Sequence, residues 1–217
     1  MKHKVISCKR FAGAADIYEL VCTRDNMIFE PGNCIDITNP KTGLKKPYSI
    51  ASSPSDDHLR FYIRTWKLSN GISKYITTLD AGDEVEIGEP FGYFTPGKNE
   101  LDGKYIYIAT GTGMAPFKSA LTHYKHLPAM ILYGVKTYSN ILPIPAHALG
   151  LYNIAVSRES NGLPSHIQGH FSKLPVDKPT EYSYYICGLE AMISDVTQFL
   201  IGNGVLWSKI HTEQFYY

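Results

Sequence analysis

Tyr105-Ile106-Tyr107-Ile108-Ala109-Thr110-Gly111-Thr112-Gly113-Met114-Ala115-Pro116 is the stretch on which the reading of this 217-residue chain turns. Its first five residues are uninterruptedly apolar, as a strand covered on both faces requires. A glycine-rich turn follows, and then a helical pattern from about Ala115 to His126. Gly111 and Gly113 carry no Cβ, so backbone amides there can come close to a pyrophosphate. The free amides of the helix start add a positive dipole end, and Pro116 is tolerated in a first helical turn. The third glycine of a G-x-G-x-x-G fingerprint is missing, so a tight strand–helix turn without ligand stands as the plain alternative.

C-terminal to this stretch, strands are expected at Met130 to Tyr133, Tyr152 to Val156 and Tyr184 to Cys187, with a helix over Glu190 to Gly202. Strand–helix alternation of this kind argues for a parallel α/β sheet. On the N-terminal side the period is different. Val5 to Lys9, Ile17 to Thr23, Cys34 to Thr38, Tyr48 to Ala51, Leu59 to Thr65 and Glu84 to Gly88 are short and rich in β-branched or aromatic residues. Turn signals such as Pro31-Gly32, Thr42-Gly43 and Ala81-Gly82-Asp83 separate them, which points to a small antiparallel barrel or sandwich. A helix over about Ile72 to Leu79 interrupts the strands. The fold expected is therefore two domains, antiparallel β over residues 1–99 and parallel α/β over 100–217, with the boundary near Lys98 to Gly103.

Composition sets the outer limits. A formal charge of +1 argues against a general nucleic-acid or anionic-membrane footprint. No run of about 18 apolar residues is present, so no spanning helix is expected. The N-terminus lacks a signal-like apolar core. Cys8, Cys22, Cys34 and Cys187 form no CxxC pair, which suits reduced cytosolic thiols and excludes an iron–sulfur cluster or zinc ribbon held within this chain. His123 and His126, and His166 and His170, read as solvated histidines because no third ligand accompanies them. The expectation is a cytoplasmic monomer.

A second stretch, Lys45-Lys46-Pro47-Tyr48-Ser49-Ile50-Ala51-Ser52-Ser53, concentrates ligand chemistry in one strand. The lysines bring charge, Pro47 fixes the local backbone, Tyr48 offers a flat face with a polar tip, and the serines bring hydroxyls. A planar, phosphate-bearing ligand needs such a set, although a polar barrel strand would look the same. Gly71-Ile72-Ser73 opens the helix among the strands, where a plain N-cap and a diphosphate cradle are both consistent. Arg64, late in its strand, adds charge.

These segments carry a resemblance. KPYSIAS, Gly71-Ile72-Ser73, Pro90-Phe91-Gly92-Tyr93-Phe94, GTGMAP and Tyr185-Ile186-Cys187-Gly188, in that order, resemble the ferredoxin–NADP reductase family across almost the whole chain. The resemblance implies an FAD-binding barrel followed by a nicotinamide-nucleotide domain, with the two cofactors meeting at the cleft between them. It places Lys46 at the flavin phosphates, with Pro47 in the same cofactor-binding strand, Tyr48 along the flavin and Ser49 near its reactive nitrogen. Gly71, Ile72 and Ser73 would hold the FAD diphosphate, with Arg64 nearby. Thr110, Gly111, Thr112, Gly113 and Pro116 would form the nicotinamide-nucleotide turn. Cys187 and Gly188 would lie beside the nicotinamide, and Glu213 resembles the family's carboxylate near the same centre. Phe215, Tyr216 and Tyr217 resemble tails that cover the flavin or its adenine.

NADP is expected over NAD because Ser157-Arg158 follows the strand ending at Val156, where the resemblance implies groups that bind a 2′-phosphate, and a guanidinium suits that phosphate. Glu159 is close, and Gly169-His170 offers only a histidine where related sequences carry a stronger cation. Two departures stand out: Lys46 replaces an arginine, exchanging a fork for a point charge, and Asn140 stands where an acid is common. The activity implied is hydride transfer from NAD(P)H to FAD, then single electrons to a separate ferredoxin or flavodoxin. A reductase of free flavin and a non-catalytic regulatory module on the same fold are the alternatives.

Overall fold

The computed structural model describes every residue except 12, 15, 66–70, 97–103, 160–161, 179 and 216–217. The chain forms two compact units, one of Met1–Tyr93 with Ala115–His123, the other of Phe94–Met114 with Tyr124–Tyr217. The expected boundary at Lys98 to Gly103 lies outside the described residues.

The first unit is an antiparallel sheet of six strands: β1 (Lys2–Arg10), β2 (Ile17–Thr23), β3 (Cys34–Thr38), β4 (Lys45–Ser49), β5 (His58–Arg64) and β6 (Glu84–Ile87). Their order is β4-β3-β6-β1-β2-β5. Period-two alternation decides what lies inside: Ile35 and Ile37 of β3, Leu59, Phe61 and Ile63 of β5, and Val85 and Ile87 of β6 share one core. A register shift in β1 between Val5 and Ser7 keeps Val5 in that core and increases the local twist. The sheet curls towards a barrel that does not close as a ladder. Its end strands meet where the Ala51 amide donates to the Arg60 carbonyl at 2.8 Å and the Arg60 amide donates to the Ser52 hydroxyl at 3.1 Å.

A short helix, α1 (Ile72–Ile76), buries Ile72 and Ile76 against the same core. It ends before the expected Leu79 because the Thr77 and Thr78 hydroxyls turn back onto the Lys74 and Tyr75 carbonyls at 2.8 and 2.7 Å. Strand β4 starts earlier than expected. The β3–β4 hairpin closes through Asn39 N to Leu44 O at 2.8 Å, with Gly43 at φ +69°, which brings Lys45 opposite Thr38.

The second unit is a five-stranded parallel sheet of β7 (Tyr105–Thr110), β8 (Met130–Val135), β9 (Tyr152–Val156), β10 (Ser183–Gly188) and β11 (Ile210–Gln214), in the order β11-β10-β7-β8-β9. β7 to β9 progress in one direction and the chain then returns to the other side of β7, so the order reverses between β7 and β10. On one face Ile106, Ile108, Tyr184 and Ile186 meet Met192, Val196 and Leu200, the inward stripe of α3 (Glu190–Gly202). On the other face Tyr107, Tyr185 and His211 stand in one row, with Tyr185 stacked on His211 at 4.4 Å.

Helix α2 (Ala115–His123) is shorter than the expected span to His126 and packs with the first unit. Sequence reasoning did not anticipate β11, an edge strand of mixed polarity, nor the 3-10 turns at Ala146–Leu151 and Ile167–Lys173. Among the described residues no helix is long and apolar enough to cross a membrane.

Candidate functional site

The first cluster grows from β4. Among the described residues this edge strand pairs only with β3, so Pro47, which has no amide to donate, costs the ladder little. Lys46 stands opposite Ile37 and Tyr48 opposite Ile35, and both are half-buried while Lys45 and Pro47 are exposed. Burial pulls the Lys46 ammonium below its ordinary pKa, so this cation already lacks part of its water shell. Lys45 points instead to Asp36 at 3.3 Å. Ser49, only 5% exposed, pairs with Cys34, whose amide donates to the Phe91 carbonyl at 2.8 Å. That bond seats Pro90-Phe91-Gly92-Tyr93 along the start of β3, on the edge away from β4, with Gly92 at φ +78°.

Tyr48 joins this strand to α1. Its phenol oxygen is buried and makes no hydrogen bond of normal geometry with the protein. Burial pushes the phenol up to about 12, and the nearby Ser73 hydroxyl only partly opposes that. At the start of α1, Gly71 has φ −91°, which any residue adopts, and a Cβ there would meet nothing within 4 Å. A glycine that the protein's own packing does not demand, two residues before the Ser73 hydroxyl that faces the buried Tyr48 phenol, fits a ligand that approaches the backbone there. Ile72 serves the core. Arg64 is already engaged: its Nε and Nη2 reach Asp16 at 3.2 and 3.1 Å.

The second cluster lies where the parallel sheet reverses order, the place where open α/β sheets bind ligands beyond their carboxyl strand ends. Here the turn Gly111–Met114 after β7 meets the end of β10. Gly111 has φ +54°, and its carbonyl accepts the Tyr133 hydroxyl at 3.1 Å. Gly113 is glycine for a reason the sequence did not disclose. A Cβ there would lie 2.4 Å from the Cys187 carbonyl oxygen. Gly188, at φ +138°, is fixed in the same way, since its Cβ would fall 2.3 Å from Thr110 Oγ1. That hydroxyl accepts the Leu189 amide at 3.0 Å and so serves the first turn of α3. Close backbone approach thus explains both glycines, and the turn is locked to Cys187-Gly188. Thr112 and Pro116 are buried behind it.

Cys187 is fully buried, and desolvation, then Glu213, raise its thiol well above the ordinary range. It is a neutral wall of the site, without thiolate reactivity. Register places Glu213 of β11 directly beside it, half-buried. The Phe215 amide donates to the Gly188 carbonyl at 3.0 Å, which brings the tail to the same strand end; Tyr216 and Tyr217 lie outside the described residues.

At the ends of β8 and β9 the pairing continues, with Ser157 N to Val135 O at 3.0 Å and Arg158 N to Lys136 O at 2.8 Å. Lys136, not singled out from the sequence, therefore neighbours the exposed Arg158. Glu159 is turned aside, its carboxylate accepting the Tyr138 amide at 2.8 Å. Asn140 caps the 3-10 turn Tyr138–Asn140, its Oδ1 accepting Thr137 N at 3.2 Å. His170 is buried, with Nε2 3.0 Å from the Ile154 carbonyl, so its ring serves the fold.

Comparison with known proteins agrees with the two-part fold. No family model matches the chain. The chain is 29% identical over 214 residues to ferredoxin–NADP reductase B of Sorangium cellulosum, covering 87% of this chain and 86% of that protein. It is 26% identical over 207 residues to the toluate 1,2-dioxygenase electron transfer component of Pseudomonas putida, of whose length it spans 60%. Among solved structures, the Amycolatopsis cytochrome P450 reductase GcoB superposes with a TM-score of 0.85 at 22% identity, over 99% of this chain and 70% of that one. The Neisseria gonorrhoeae ferredoxin NADP+ reductase with bound FAD and NADP gives 0.80 at 17% identity, over 100% and 98%. At those identities the structural likeness establishes the fold.

Proposed function

We propose that this chain, a member of the ferredoxin–NADP reductase family, is an FAD-dependent oxidoreductase that accepts hydride from NAD(P)H and delivers electrons singly to a separate ferredoxin or flavodoxin. The carrying observation is that one chain holds both clusters: a barrel edge with the buried Tyr48 phenol and the open side of Gly71, and a glycine turn at a sheet's point of reversal. When bound, the flavin supplies the conversion from two-electron to one-electron chemistry. The protein's residues bind, orient and exclude water.

Lys46 sets a partly desolvated positive charge where the flavin phosphates would lie, and the open side of Gly71 leaves room for the diphosphate beside Ser73. Ser49 offers a hydroxyl held by burial. The turn Thr110–Gly113 presents backbone to the nicotinamide nucleotide. Cys187 shapes its floor, and Glu213 is the nearby carboxylate for proton handling. Ser157, Arg158 and Lys136 favour the 2′-phosphate of NADP, and Glu159, occupied with Tyr138, does not oppose it. The division into an FAD-binding part, 1–99, and a nucleotide-binding part, 100–217, belongs to this proposal. So does the cytoplasm, whose reducing conditions suit four free cysteines.

The test is visible absorbance of bound flavin after gel filtration, followed by anaerobic stopped flow with NADPH and NADH. If neither nicotinamide bleaches FAD-loaded protein, the reading is overturned. One observation favours a second reading, a reductase of free flavin: Lys46 is a single-point cation at a half-buried position, a weaker phosphate clamp than a guanidinium. Colourless purified protein that turns over added flavin would select it.

A further inference from the structure

Helix α2 begins directly after the glycine turn, yet it packs as part of the first unit. At its middle stands Ser119, fully buried, whose hydroxyl donates a 2.6 Å hydrogen bond to the carbonyl of Ser52, also fully buried. Ser52 closes the KPYSIAS stretch, and its own hydroxyl accepts the Arg60 amide at 3.1 Å. A serine or threonine inside a helix ordinarily bonds back one turn along its own backbone. Thr122 of α2 does so, donating to the Lys118 carbonyl at 2.8 Å. Ser119 is aimed away from its helix instead. The end of α2 repeats the attachment, with His123 Nδ1 3.5 Å from both Ser53 Oγ and Ser55 Oγ. Alanine is the better helix former at a buried helical position. The hydroxyl therefore has a use outside helix formation.

We propose that Ser119 is a positioning residue for hydride transfer: its bond to Ser52 ties the helix that carries the nucleotide turn to the segment that follows the flavin strand. This rests on the functional reading above. The turn is continuous with the first residues of α2, so freedom in the helix becomes freedom in the turn's amides. Hydride transfer depends steeply on such placement, and a misplacement of about 1 Å is worth about a hundredfold in rate.

Ser119→Ala tests this in FAD-loaded protein by anaerobic stopped flow at saturating NADPH. Flavin reduction is expected to slow by about tenfold to a hundredfold, while FAD content and the dissociation constant for NADP+ stay within about threefold. Thr122→Ala, which removes a hydroxyl that bonds only within α2, should leave the rate within about twofold. Without any cofactor, amide hydrogen exchange over 112–119 should quicken by about tenfold in Ser119→Ala. A reduction rate within about threefold of wild type, or loss of FAD from Ser119→Ala, overturns the inference. Wild-type protein that NADPH cannot bleach would overturn the functional reading. Hydrogen exchange alone would then decide whether Ser119 holds the helix, and unchanged exchange would reject it.

Discussion

Gly113→Ala sets packing and proposed chemistry against each other at one atom. The added methyl would lie 2.4 Å from the Cys187 oxygen, 2.7 Å from its carbonyl carbon and 2.9 Å from the Gly188 Cα. All three belong to the backbone of β10, which is bonded to β7 on one side and β11 on the other, so it cannot swing away. Ordinary contact begins at 3.4 Å, so the shortfall at the oxygen is 3.4 − 2.4 = 1.0 Å, and the turn has to withdraw by that amount. Overpacking of this kind costs about 1–3 kcal/mol. At this chain length each kcal/mol lowers Tm by about 2–4 °C, giving a fall of about 2–12 °C. The same 1 Å withdrawal of the turn's amides should slow NADPH-dependent flavin reduction by about a hundredfold. Thermal denaturation followed by far-UV circular dichroism measures the first effect and anaerobic stopped flow the second. Unchanged Tm would refute the packing argument. A lowered Tm with unimpaired reduction would remove the turn from the nucleotide site.

Other expectations follow from the same geometry. Gly71→Ala should fold at least as stably as wild type, by about 0.4–1 kcal/mol, because φ −91° and the open surroundings accept a methyl; FAD affinity should nevertheless fall, and undiminished binding by flavin fluorescence quenching would exclude the diphosphate from that position. Arg158→Ala should raise the NADPH Michaelis constant by about tenfold or more and leave that for NADH alone, as loss of one charge-assisted phosphate contact predicts; equal constants for NADPH before and after would reject the assignment. His170→Gln should not change the preference between the two nicotinamides, because the ring is committed to Ile154; a switch in preference would contradict this. Cys8 is pushed up to about 11 and Cys22 to about 12 by burial, both from 9.0. With folded values raised, their stabilisation is complete below about pH 9, and it is lost as the unfolded thiols ionise above that and pH climbs towards 11 and 12. Tm should therefore decline from pH 9.0 upward, and a flat profile from there to about 11 would be inconsistent with those burials.

Much of the fold was legible because periodicity is local. Ile17–Thr23, Cys34–Thr38, Tyr152–Val156 and Glu190–Gly202 stand where alternation or helical spacing set them. Misjudged ends had causes outside that signal. Thr77 and Thr78 bonded backward to stop α1, and the Asn39–Leu44 turn pulled β4 to an earlier start. β11 escaped notice because a parallel edge strand of mixed polarity carries little periodic signal of its own.

The sequence by itself determined the two kinds of sheet and the placing of chemistry in KPYSIAS and the strand–glycine–helix stretch, since residue type and spacing act over a few neighbours. Only the tertiary structure decided what those residues are for. It gave Gly113 and Gly188 to close backbone packing, His170 to the core, Arg64 to Asp16, and a neutral buried state to Cys187. It also drew Ser119 to Ser52, residues 67 apart in sequence. Close backbone approach, burial and charge neighbours are properties of chain segments far apart in sequence. No local pattern encodes them.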